Sequence, residues 1–352
     1  MVTSMSGSPS EIPLSRPRAT MRHVASLAGV GTKTVSRVVN GEPNVSEATQ
    51  LKVLEAIRQL NFQPDMHAGN LRRTGRRTQT LGLLVGSVAN PFSGAIHRGV
   101  EDAASAKGVA VFASSLDDDP DRERGVVSAF LRRRVDGLIL TTAGKSQAYL
   151  QPELELGTPI VFVDREPVGV EADAIVCDNA DGAALAVRHL ISHGHRNIAF
   201  LGDRTEIWTA RERRRGFIEE LGRAGISIDG ANVVDGLYDE VAAHRATEAL
   251  LRGPNPPTAI FSAQNLITMG AVRALRDNGA HHRVALVGFD DVSLAALLDP
   301  AITVIAQDPQ RIGALAAKRL FARLDGDTTP ARSYVIPTTL IIRGSGEIPN
   351  NA

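Results

Sequence analysis

Thr32, Lys33, Ser36 and Arg37 stand at the spacing of one helix face, with Val35 and Val38 on the other. Their chemistry is that of a DNA reader. Lys33 and Arg37 can donate to guanine O6 and N7, and Thr32 can reach a base edge or a thymine methyl. An ordinary helical hairpin can carry the same residues on a solvated face, so the reading depends on what holds the helix.

A second group lies at the carboxyl ends of predicted strands. It comprises Asn90 with Pro91 and Phe92, Asp164 with Arg165, Asp203 through Trp208, Gln264 with Asn265, and Asp290 with Asp291. Taken singly, each is a loop cap or a surface ion pair. As a set, aromatic faces, carboxylates, amides and arginines suit a small polyhydroxylated or heterocyclic ligand.

Catalytic patterns do not emerge. There is no G-x-G-x-x-G or G-x-x-x-x-G-K-[ST] phosphate loop, no G-x-S-x-G elbow and no H-E-x-x-H. His189, His193 and His195 carry a weak echo of metal spacing, but Gly194 and Arg196 beside them fit a helix C-terminus, where cationic side chains are favoured. His281 and His282 sit in a polar turn, and Cys177 reads as a small core residue. No catalytic residue, metal or cofactor is expected.

The elements that must position the first group are short helices. Thr20 caps one whose apolar face is Val24, Leu27 and Ala28, and Gly29 ends it. The second begins at about Thr32. After the turn chemistry of Asn40 to Asn44, Ser46 caps a third, whose stripe is Leu51, Leu54, Ile57 and Leu60. This makes an all-α helix-turn-helix domain over residues 20–63, behind a disordered tail at 1–19 that lacks the apolar core of a secretory signal. Residues 64–80 read as a short helix over 66–71, capped by Asp65, and a basic linker. So short a helix is marginal in water, and Gly69 costs it about 1 kcal/mol relative to Ala.

From residue 81 the pattern changes to apolar runs alternating with amphipathic helices, the mark of parallel sheets with right-handed crossovers. Strands are expected at 81–85, 109–113, 137–140, 160–163, 174–177, 197–201, 232–234, 259–262, 285–289 and 302–305, with helices at 93–107, 121–133, 180–193, 210–224, 241–252 and 266–278. These are too many strands for one open sheet, and the series restarts near Asp178. The expected architecture is therefore two doubly wound α/β lobes with a cleft between them: about 81–177 with 309–336, and about 178–308 with 337–344. Residues 345–352 read as a tail.

Net charge is zero, yet residues 1–80 hold eleven Lys/Arg against five Asp/Glu, a balance of +6 that the remaining 272 residues cancel. A basic module joined to an acidic body fits nucleic-acid binding. One cysteine fits a reducing compartment, and no apolar run approaches a membrane span, so a cytoplasmic protein is expected.

With these features in place, the chain resembles the lactose/galactose repressor family of bacterial transcription regulators from Thr20 to about Gly344. The matching motifs include HVASLAGVGTKTVSRVVNG, NVSEATQLKVLEAIRQLNFQP, GLLVGSVANPF, VRHLISHGHRNIAFLGD, TARERRRGF and VALVGFDDVSLAALLDP. The resemblance implies a homodimer on pseudo-palindromic operator DNA, with a periplasmic-binding-protein-like core that binds a sugar or related metabolite. It gives Thr32, Lys33 and Arg37 base-reading roles. Thr20, Ser36, Asn40, Ser46 and Thr49 would position the DNA backbone, and Leu71 would wedge into the minor groove from a hinge helix. In the core, Asp164, Arg213, Gln264 and Asp290 match effector contacts, with Asn90, Phe92 and Trp208 bordering the pocket. The function implied is an effector-controlled regulator, most simply a repressor, in preference to a solute-binding protein or a ligand-processing enzyme on the same scaffold. Three departures stand out: Gly31 where a hydroxyl residue usually opens the recognition helix, Gln264-Asn265 where Asn-Asp is usual, and Gly69 in the hinge. No leucine heptads follow Gly344, so a dimer without a tetramerising tail is expected.

Overall fold

The computed structural model describes residues 19–39, 42–62, 77–227 and 232–350. Asn40, Leu71, Gly69 and the helix expected over 66–71 lie outside them. The chain divides into two compact units, 1–78 and 79–352.

The first unit packs α1 (Met21–Ala28), α2 (Thr32–Val39) and α3 (Glu47–Gln59) around Val24, Ala25, Val35, Val53, Ala56 and Phe62. Thr20 caps α1 reciprocally: its hydroxyl accepts from the His23 N–H at 3.4 Å, and its own N–H donates to His23 Nδ1 at 3.2 Å. Gly29 closes the helix at φ 65°, a left-handed conformation that glycine adopts without a Cβ penalty. The buried arc of α3 differs from the expected stripe. Val53 and Ala56 are buried, with Ile57 and Leu60 packed beside them, whereas Leu51 and Leu54 are 61% and 47% exposed. Val53, Ala56, Ile57 and Leu60 form the i, i+3, i+4, i+7 arc that meets Val24 and Val35, which leaves Leu51 and Leu54 on a neighbouring arc.

The second unit contains two six-stranded sheets. The N-lobe sheet has the order β11-β5-β4-β3-β1-β2, from β1 (Thr80–Val85), β2 (Ala110–Ser115), β3 (Gly137–Leu140), β4 (Ile160–Val163), β5 (Asp173–Cys177) and β11 (Ser333–Ile336). Every pair in it is parallel. The C-lobe sheet has the order β12-β10-β9-β8-β6-β7, from β6 (Ile198–Leu201), β7 (Val233–Val234), β8 (Ala259–Ser262), β9 (Ala285–Phe289), β10 (Thr303–Ala306) and β12 (Thr339–Ile341), with only β12 antiparallel. Helices α4 (Pro91–Ser105) and α11 (Pro309–Leu324) cover one face of the N-lobe, and α5 (Pro120–Arg132) and α6 (Gln151–Glu155) the other. In the C-lobe α7 (Asn179–Ser192) and α8 (Trp208–Arg223) lie opposite α9 (Glu240–Arg252) and α10 (Asn265–Asp277). Interior strands such as β1, β3 and β4 are buried along nearly their whole length, because helices cover both faces.

Two local devices hold the N-lobe together. Gly99 and Gly313 let α4 and α11 touch backbone to backbone: a Cβ on Gly99 would overlap the Gln310 carbonyl, and one on Gly313 the Ile96 carbonyl. Buried Asp173 ties β5 to α11, accepting from Arg319 at 3.0 Å, Arg323 at 2.8 Å and the Arg332 N–H at 3.2 Å. Burial alone would raise its carboxyl pKa; the arginine hydrogen bonds outweigh that and hold it below the usual range.

Residues 344–350 do not trail from the C-lobe as the expected tail. Buried Ser345 donates to the Leu286 carbonyl at 2.6 Å and accepts from the Thr303 N–H at 2.9 Å, so the segment completes polar groups left at the ends of β9 and β10.

Candidate ligand pocket and nucleic-acid interface

In an open α/β sheet ligands bind in the crevice outside the carboxyl ends of the strands, where the loops leading to the helices converge. Here those ends from both lobes enclose a cavity of about 440 Å³. Asp164 follows β4 and Asp290 follows β9, at matching places in the two sheets. Each has a left-handed backbone (φ 68° and 71°) and donates its N–H to the next strand, to Ile175 at 2.9 Å and Ile305 at 2.8 Å. The two carboxylates thereby enter the cavity from opposite lobes. Burial pushes both above their usual pKa, opposed at Asp164 by Arg165 and Arg213, and at Asp290 by Arg213 and the Gln307 amide. Asp203 is raised in the same way by burial, against its hydrogen bond from the Arg204 N–H.

The arginines are held as firmly. Buried Arg213 donates to Asn179 Oδ1 at 2.7 Å and the Ala263 carbonyl at 2.8 Å, and its guanidinium lies 3.8 Å over the Phe289 ring. Arg165 donates to the Thr142 carbonyl at 2.5 Å and pairs with Asp118 at 2.7 Å. The other oxygen of Asp118 takes Arg204 from the opposite lobe at 2.8 Å. At the cleft's edge, Asn90 and Asn265 donate to each other across the lobes, at 3.2 and 2.7 Å.

Of the pocket residues expected from the sequence, Asn90, Phe92, Asp164, Arg213, Gln264 and Asp290 line this one cavity. Gln264 uses its Oε1 to cap α10, accepting from Leu266 and Ile267 N–H, so the amide NH2 is what it offers a ligand. Trp208 is a correction. It opens α8 and packs on the N-lobe core, while its neighbours Ile207, Thr209 and Ala210 face the cavity. Sequence reading missed Asp118 and Tyr238 as lining residues. The first had a signal, an Asp117-Asp118-Asp119-Pro120 run just past a strand end. The second had one too, since it sits past β7, a strand expected at 232–234.

In the first unit, Thr32, Lys33 and Arg37 lie exposed along one side of α2, and Val35 on the other side is fully buried. Arg37 approaches Glu42 at 3.9 Å while staying 57% exposed. Thr20 and Ser46 serve as helix caps, and Ser46 Oγ lies 2.8 Å from Thr49 Oγ1. Gly31 sits at the start of α2, where its carbonyl accepts from Thr34 and Val35 N–H; a Cβ there would meet open space. Among the described residues no helix is long and apolar enough to cross a membrane.

Comparison with known proteins decides what this combination is. Residues 20–65 match the family described as bacterial regulatory proteins, lacI family, and 187–346 a periplasmic binding protein-like domain. The HTH-type transcriptional regulator PtxS of Pseudomonas aeruginosa is 34% identical over 336 residues, 94% of this chain and 96% of its own. The chain belongs to the lacI family. A lacI-family member is a transcriptional regulator and not an enzyme, in agreement with the missing catalytic motifs. Among solved structures, a lac repressor dimer bound to operator and the anti-inducer ONPF is 27% identical with a TM-score of 0.83, covering 94% of this chain and 99% of that one. A transcriptional regulator CelR–cellobiose complex is 33% identical with a TM-score of 0.68, covering 93% and 100%. The lacI-family fold, a helix-turn-helix unit plus a two-lobed α/β core, agrees with the architecture expected from the strand and helix pattern.

Proposed function

We propose that this lacI-family regulator is a cytoplasmic repressor that binds double-stranded operator DNA as a homodimer, and that a sugar or related metabolite in the cleft controls the binding. Thr32, Lys33 and Arg37 read bases; Thr20, Ser36, Asn40, Ser46 and Thr49 hold the phosphate backbone, with Leu71 as the minor-groove wedge. Residues 20–63 choose the sequence, 64–80 connect, and 81–344 sense the effector.

One observation carries the effector reading: buried carboxylates and guanidinium groups from both lobes converge on a single cavity. Sugar hydroxyls both donate and accept, so Asp164, Asp203 and Asp290 can take their protons while Arg213 and the Gln264 amide donate to their oxygens. Phe92 and Tyr238 supply flat apolar walls. One similar protein, 33% identical, is described in complex with cellobiose, a sugar. Because the ligand would contact both lobes, it favours one lobe arrangement over another, and a coupling of about 1 to 3 kcal/mol to DNA affinity is typical of such switches.

The experiment is mass spectrometry of small molecules retained by the purified protein, followed by operator binding with and without the hit. A retained polyol that shifts operator affinity supports the proposal. A molecule that is bound but leaves DNA affinity unchanged, or that is turned over, refutes it.

A further inference from the structure

At the edge of the C-lobe where α7 ends, remote from the strand ends that form the cleft, His189, His193 and Glu347 come together, with one candidate donor atom from each within 4.8 Å of the others. His189 and His193 are one helical turn apart at the end of α7, their rings 4.7 Å apart. Such i, i+4 spacing sets two imidazoles on the same helix face.

His193 Nδ1 lies 2.9 Å from the His189 carbonyl. A carbonyl only accepts, so Nδ1 donates there, and Nε2 is the ring nitrogen that faces Glu347 Oε2, 3.4 Å away. His189 Nε2 is buried, and Glu347 Oε1 is its close polar neighbour, 2.8 Å away. Burial pushes the His189 pKa down, against the pull of Glu347.

The carboxylate is brought there by fixed backbone on both sides. Before it, Gly346 N–H donates to Thr303 Oγ1 at 3.0 Å. After it, the Ile348 carbonyl lies 2.8 Å from His195 Nε2, and Asn350 N–H donates to the His193 carbonyl at 3.1 Å.

We propose that His189 Nε2, His193 Nε2 and the Glu347 carboxylate bind one zinc-class divalent transition-metal ion, clamping residues 344–350 to the end of α7. Two imidazoles and one carboxylate form a borderline donor set that suits Zn²⁺, Co²⁺ or Ni²⁺ and disfavours Mg²⁺ and Ca²⁺, which take oxygen ligands. Ligand bonds of about 2.0 to 2.1 Å in a tetrahedral site put donor atoms near 3.3 Å apart. The two imidazoles now approach different oxygens of Glu347, His189 reaching Oε1 at 2.8 Å and His193 reaching Oε2 at 3.4 Å, so the carboxylate must shift for one oxygen to serve both. The Glu347 side chain is 41% exposed and free to make that move, and the exposed side leaves room for a water as fourth ligand. The His193 Nδ1–H to carbonyl bond is the outer contact that fixes tautomer and ring orientation in metal-bound histidines. The site departs from the expectation of no metal because Glu347 lies far from the histidines in sequence and enters only when the C-terminal segment docks.

The test is Zn²⁺ titration of tag-free, full-length protein in competition with a chromophoric chelator, with Co²⁺ absorption as a check on coordination. Two variants at accessible ligands, His193→Gln and Glu347→Gln, are carried in parallel, their folding checked by circular dichroism. The expected result is one tight Zn²⁺ per chain, weakened at least ~10-fold by each variant, and a Co²⁺ spectrum that both variants abolish. Wild-type protein that binds Zn²⁺ no more tightly than the two variants overturns the proposal and leaves the cluster a histidine–carboxylate pair.

Discussion

Asn90 and Asn265 hold the two lobes together by a reciprocal pair of amide hydrogen bonds, 3.2 and 2.7 Å, each side chain both giving and accepting. The pair explains why an amide stands at 265, where the resemblance anticipates a carboxylate. An aspartate there could accept from Asn90 but return nothing, and would add negative charge to a cleft already rich in carboxylates.

Replacing Asn265 by Ala should therefore favour an open cleft. It leaves the Asn90 amide short of a partner, which costs about 1 to 3 kcal/mol when the group is buried, enough to shift a lobe equilibrium several-fold. Fluorescence energy transfer between dyes on the two lobes of the ligand-free protein should report a longer mean distance in the variant. An unchanged distance distribution would mean that the pair does not latch the cleft.

Arg37 is the sharpest test of base reading. If it donates to guanine, Arg37→Ala costs about 1 to 3 kcal/mol on the preferred operator and much less on one altered at that base pair. Equal losses on all sequences, measured by fluorescence anisotropy, would reassign Arg37 to the phosphates.

Gly31 is open to improvement. Its Cβ position faces empty space, so Gly31→Ser can cap α2 with a hydroxyl at a gain of a few tenths of a kcal/mol. The expected signs are slower hydrogen exchange at the first α2 amides and a modest rise in affinity for all DNA sequences alike, as a phosphate contact would give. A rise confined to one operator would point instead to base contact.

Asp173 predicts an acid-sensitive N-lobe. Its folded pKa is depressed, so its stabilisation is complete above the unfolded-chain value near ~3.9 and is lost as pH falls through the lower folded value. Asp173→Asn should destabilise the protein by about 3 kcal/mol at neutral pH, because two guanidinium groups lose their buried partner. In urea denaturation the gap between wild type and variant should narrow steadily below about pH 4. A gap independent of pH would show that the carboxylate charge is not what matters.

Much of the architecture was legible because covered strands write themselves as unbroken apolar runs: Leu81 to Val85, Ile160 to Val163 and Ala285 to Phe289 all emerge as strands within a residue or so. Positive-φ Asp164 and Asp290 were found as polar residues ending such runs. What stayed hidden depends on orientation or distant docking. Leu51 and Val53 are both apolar, and only packing against Val24 decides which faces inward. Trp208 sits among cavity residues in sequence, but helical geometry turns it toward the N-lobe. Asp118, which bridges Arg165 and Arg204, has partners that no local pattern connects.

The central claim is that occupation of the cleft changes affinity for DNA. Anisotropy titration of operator DNA should be run with and without a saturating cleft ligand, on wild type and on Asp290→Asn. Wild-type affinity should shift by about 5- to 150-fold, while Asp290→Asn keeps its ligand-free affinity and loses most of the shift. Identical wild-type curves with the cleft shown to be full would contradict the account.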